Sequence, residues 1–190
     1  MADLRTPRSK ENFALRAAKG FGYWFLGAFM CIFICTTLIV LMRGTIILKV
    51  FVALCTLTIT MGLYFNWAHY AAKRDRNAVK FRSMEYDRFM PLKMSIAAPI
   101  VSYGMLIALY LCKLGIIPDM FNWYMWVNMW MVPFIKMFTD STTIDGISWI
   151  GILGLTFLVL LQPLTITATY LLTYNDVDVT KLLLYKNDNK

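Results

Sequence analysis

The chain has 190 residues, of which 59% are hydrophobic and 16% charged, against roughly 25% charged in an ordinary soluble domain. The apolar residues fall in long runs, which leaves little for a water-soluble core and points to an all-α, polytopic integral membrane protein with short polar flanks. The net charge of +8 lies beside those runs, so the expected electrostatic partner is the anionic membrane surface and not nucleic acid.

Residues 1–22 are polar and basic, with Arg5, Arg8, Lys10, Arg16 and Lys19 against Asp3 and Glu11. From about Glu11, Phe13, Ala14, Ala17, Ala18 and Phe21 share one face of a short interfacial helix. Tyr23 to Met42 has no charge and matches a hydrocarbon core of roughly 30 Å, so it reads as a first transmembrane helix, too long for a signal-peptide core. Arg43 and Gly44 make a tight turn into a second span, Thr45 to about Tyr70. There Lys49 reaches back to the interface, and Trp67 and Tyr70 mark the far one. Residues 23–70 are thus a first transmembrane hairpin.

The stretch 71–93 is a basic loop carrying Lys73, Arg74, Arg76, Lys80, Arg82, Arg88 and Lys93 against Asp75, Glu85 and Asp87. Residues 94–174 form a second hairpin. Met94 to Cys112 is uncharged, and Pro99 should free the carbonyl of Ser95 and kink the helix. Ile147 to Tyr174 is the longest uncharged run and contains Pro163. Between them lies an aromatic segment, 121–138, in which Trp123, Trp126 and Trp130 recur at i, i+3 and i+7 and form one outer stripe on a continuous helix.

Charge orients these pieces. With 1–22, 71–93 and the tail 175–190 on one side, 15 of the 19 basic residues are cytoplasmic, as Lys and Arg beside spans tend to be. This gives four spans as two antiparallel hairpins, both termini cytoplasmic, with 121–138 as an outer interfacial or re-entrant helix. The alternative is five spans, with 121–138 crossing. The location is a cellular membrane, most simply a bacterial plasma membrane.

Chemistry-bearing residues are sparse. The centres of the spans hold no ionisable group, which argues against a pump built on buried carboxylates. Gln162, Thr165 and Thr169 fall near one face of the last span, as a packing face or as a polar groove for a solute. Cys31, Cys35 and Cys55 lie at similar depth but lack a histidine, so they read as small hydrophobes and no metal or cofactor is expected. His69, Asp75 and Glu85 are the available acid–base groups, and Asp75 is one residue late for a His-x4-Asp pair.

These features lead to a non-catalytic membrane subunit or scaffold. It would contact a protein partner, another copy of itself or anionic lipid through Lys73, Arg74, Arg76, Lys80, Arg82 and Arg88. An oligomeric channel or small-solute transporter is the alternative, and a membrane enzyme acting on a lipid substrate is the third reading.

Overall fold

The computed structural model describes residues 13–38, 40, 44–82 and 85–177. The basic residues before Phe13, the turn residue Arg43 and the tail lysines Lys181, Lys186 and Lys190 lie outside the described residues, as does the side chain of Arg82. All regular structure in the described residues is helical.

Helix α1 spans Phe13–Thr37. No proline separates its polar start from the apolar run, and Gly20 and Gly22 at the join are accommodated within the helix, so the expected interfacial helix and first span are one continuous helix. Helix α2 spans Ile46–Arg82, 37 residues or about 55 Å at 1.5 Å per residue. That exceeds a hydrocarbon core of roughly 30 Å by several turns. Ala71 to Arg82 is therefore a helical extension of the span, rich in Ala, Lys and Arg, which are good helix formers.

After a short irregular stretch come α3, Met90–Ala97, and α4, Ile100–Lys113, bent by 57° at Ala98 and Pro99. Proline removes a donor and clashes with the preceding turn, which accounts for the expected bend. The freed carbonyl of Ser95 accepts instead from the Tyr103 hydroxyl at 3.1 Å.

The aromatic segment is not one helix. It divides into α5, Phe121–Val127, a 3-10 turn at Met129–Met131, and α6, Val132–Phe138. Seven residues rise only about 10 Å, so neither helical piece can cross a bilayer. A linker with a second 3-10 turn, Ile144–Gly146, leads to α7, Trp149–Tyr174, which contains Pro163 without a break. The Ser148 side chain caps α7 by accepting from the Gly151 N–H at 3.2 Å, a role that serine fills well.

Three helices, α1, α2 and α7, are long and apolar enough to cross a membrane, and the bent pair α3–α4 makes a fourth if it is one span. Helix α2 is the central element and packs on α7, α1 and α6. Its core divides in two. Around the basic end lie Tyr64, Trp67, Ala68, Met94, Ile166 and Tyr170. Around the opposite end, Cys31, Cys35, Leu109, Phe121, Tyr124 and Trp130 pack together.

Trp67 is a correction to the interfacial expectation. It is 5% exposed, whereas Tyr70 is 62% exposed. The indole lies over Gly20 of α1, where an added Cβ would meet its ring at 2.7 Å. The missing side chain is what lets α1 and α2 approach at this level.

Candidate functional site

The basic face is built mainly on the extension of α2. Lys73, Arg74 and Lys80 are exposed on it, and Arg88 is exposed in the following turn. Phe81 and Phe89 are 73% and 66% exposed beside them, and the Lys80 ammonium lies 5.5 Å from the Phe81 ring centre. A surface of cations interleaved with exposed aromatics suits an acidic polymer or a headgroup layer, since the rings can enter the apolar boundary while the ammonium groups stay wet. Arg76 departs from this set. It is half-buried, pairs with Asp176 just beyond α7, and reaches the Thr173 carbonyl at 3.5 Å.

Beneath this face lies a charged tie that the sequence did not reveal. Arg16 of α1, only 3% exposed, donates two parallel hydrogen bonds to the Asp75 carboxylate, each 2.5 Å. The Tyr170 hydroxyl of α7 donates to the same carboxylate at 2.6 Å. Bidentate guanidinium–carboxylate geometry fixes direction as well as distance, so three helices are locked at one level. The signal available in the sequence was Asp75 itself, the one acid among the bases from Ala71 to Arg82.

His69, six residues before Asp75 on α2, has its Nδ1 3.0 Å from the Thr173 hydroxyl. His69 and Asp75 thus engage different partners on α7, and the structure does not assemble them as an acid–base pair. Glu85 is exposed beyond the end of α2. Tyr86 stacks on Tyr174 with ring centres 4.1 Å apart. Desolvation, then the neighbouring Tyr174, pushes the Tyr86 phenol above its ordinary range, so it stays a neutral donor.

On α7, Gln162 and Thr169 are buried and Thr165 is half-buried. All three turn into the bundle. Thr165 donates to the Leu161 carbonyl at 2.8 Å and meets the Met61 sulfur at 3.4 Å. Neither amide atom of Gln162 has a hydrogen-bond partner among the described residues. The Cys31 sulfur lies 3.5 Å from the Thr60 hydroxyl, and Cys35 donates to the Met129 carbonyl. No group of three or more His, Cys, Asp or Glu able to hold a metal is present among the described residues.

The tryptophan stripe is corrected. Trp123 and Trp126 are 66% and 57% exposed, but Trp130 is 2% exposed. The i, i+3, i+7 alignment requires an unbroken helix, and the break at Asn128 turns Trp130 inward. Its carbonyl accepts from the Thr56 hydroxyl at 2.9 Å. Thr56 is ten residues into α2, about 15 Å from its start, so the segment folds back along the bundle.

Main-chain groups exposed by these breaks are satisfied by charged side chains. Lys49 donates to the Lys136 carbonyl at 2.7 Å, near the C-terminus of α6, where a cation also meets the negative end of the helix. Lys113 donates to the carbonyls of Ile144 and Ile147. Asp119 accepts from the N–H groups of Phe121 and Ile144.

No family model matches the chain, no curated protein matches it, and no solved structure matches it.

Proposed function

We propose that this chain is a non-catalytic subunit or scaffold of the plasma membrane that presents the basic extension of α2 to an acidic protein partner, with anionic lipid beneath it. In this reading the protein crosses the bilayer four times, both termini and the basic face are cytoplasmic, and 121–138 re-enters from the outer side. The observation that carries it is a division of labour among the charges. Arg16, Asp75 and Arg76 hold the helices together, while Lys73, Arg74, Lys80 and Arg88 project from a rigid helix and the turn after it. Cations carried on a preformed helix add no backbone-ordering cost when they meet a partner.

Photocrosslinkers placed at the exposed Asn77 and Phe81 in cells test this directly. A protein adduct of one discrete mass, lost in a Lys73→Gln/Lys80→Gln/Arg88→Gln variant that still reaches the membrane, is the expected result. Adducts to lipid alone, or none, would remove the scaffold reading.

One observation favours a second reading, a solute path along α7. The Gln162 side chain is fully buried with both polar atoms unpartnered among the described residues, and such a group costs about 1–3 kcal/mol. If Gln162 is a packing residue, Gln162→Leu leaves stability unchanged or raises it. Solute flux in liposomes that disappears in the same variant would favour the path.

A further inference from the structure

At the end of the bundle opposite the basic face, a cleft of about 600 Å³ opens between the end of α1, the start of α2 and the broken aromatic segment. That volume lies within the roughly 300–1,000 Å³ of small-molecule sites. Its lining changes character with depth. Cys35, Met129 and Val132 are buried at the floor, and Met125 and Trp126 line the more open part. At the mouth stand Lys49, Lys136 and the exposed Asp140.

We propose that this cleft binds an anionic amphiphile, with its hydrocarbon chain against Met125, Trp126 and Met129 and its phosphate or carboxylate head between Lys49 and Lys136. The interior offers thioethers and an indole ring, which adapt to an apolar chain without a fixed shape. The mouth carries two ammonium groups against one carboxylate, a net charge of about +1. That carboxylate is a loosely held counter-ion. Asp140 lies 3.7 Å from the Lys49 ammonium and its side chain is 85% exposed, whereas the Lys49 side chain is 16% exposed. A ligand anion entering beside Lys49 would replace a solvated partner with one in a less polar setting, where the attraction is stronger. The Lys136 ammonium bonds the Asp140 main-chain carbonyl at 3.1 Å, which keeps it at the same rim.

The binding test uses the full chain in mild detergent, with phosphatidylglycerol, phosphatidylcholine or a sixteen-carbon fatty acid added and retained ligand measured by native mass spectrometry. At least one anionic ligand is expected to bind about tenfold more tightly than phosphatidylcholine. Retention of phosphatidylglycerol alone identifies a phospholipid head, and retention of the fatty acid alone identifies a free carboxylate. Lys136→Gln is the deciding variant, because Lys49 also supports the backbone of α6. It should lower anionic binding about fivefold or more while phosphatidylcholine is unaffected, and Met129→Trp, which fills the floor, should abolish binding.

Equal retention of charged and zwitterionic lipid overturns the proposal. Anionic binding untouched by both Lys136→Gln and Met129→Trp does so as well. Lys73→Gln/Lys80→Gln/Arg88→Gln at the other end should leave this binding intact while removing the partner contact proposed above, so the two readings fail separately.

Discussion

The two ends of the bundle are closed by different means. At the basic end, regular helices meet and their side chains bond one another: Arg16 and Tyr170 converge on Asp75, and His69 meets Thr173. At the other end the chain is broken into short pieces, and the side chains bond mainly main-chain groups. Lys49 serves Lys136, Lys113 serves Ile144 and Ile147, and Thr56 serves Trp130. An intact helix satisfies its own backbone, so polar side chains are free to tie helix to helix. A broken one leaves carbonyls that must be met locally. The first arrangement fixes helix positions, and the second leaves a cleft between them.

The sharpest way to break this contrast is to unbalance the buried ion pair. Asp75→Ala leaves the Arg16 guanidinium buried with its carboxylate removed and should cost about 3–5 kcal/mol, read as a lower midpoint of thermal unfolding in detergent. An Arg16→Met/Asp75→Leu double variant should recover only part of that loss: well-packed apolar residues can replace a buried ion pair, but the buried Tyr170 hydroxyl loses its acceptor. Next in size is Gly20→Ala. The new methyl meets the Trp67 ring, and the resulting overpacking should cost about 1–3 kcal/mol with a change in tryptophan fluorescence.

At the broken end, effects should be smaller and more local. Thr56→Val removes the donor to the Trp130 carbonyl and should cost about 1 kcal/mol. Hydrogen exchange should rise in 121–138 and stay unchanged around Asp75. The smallest expected effect is Lys73→Gln, an exposed change that should move stability by less than about 0.5 kcal/mol while weakening partner crosslinking. If Thr56→Val loosened both ends equally, the ends would not be separate units.

The same contrast explains what could be read from the sequence. Long apolar runs made α1, α2 and α7 legible, because bilayer thickness sets their length. Pro99 correctly marked the bend. Periodicity assumes a continuous helix, and the break at Asn128 is why the aromatic stripe does not extend to Trp130. The charge of 71–93 marks it as polar but carries no signal that α2 runs on through Arg82. Arg16 and Asp75 are 59 residues apart, and nothing local distinguishes a buried arginine from the solvated ones around it. Tertiary proximity alone makes Asp75 a structural anchor rather than one more charge in a basic stretch.

The unbroken length of α2 has a mechanical consequence. From Thr56, where it is fastened to the folded-back segment, to Arg82 the rod runs for 26 residues, about 39 Å. A tilt of about 10° around that fastening would sweep the far tip through about 7 Å, roughly the width of a side chain. Asp75 is clamped most of the way along this lever, where a hold of given strength resists turning far better than it would near the pivot. The clamp therefore sets how steadily the cationic tip is aimed.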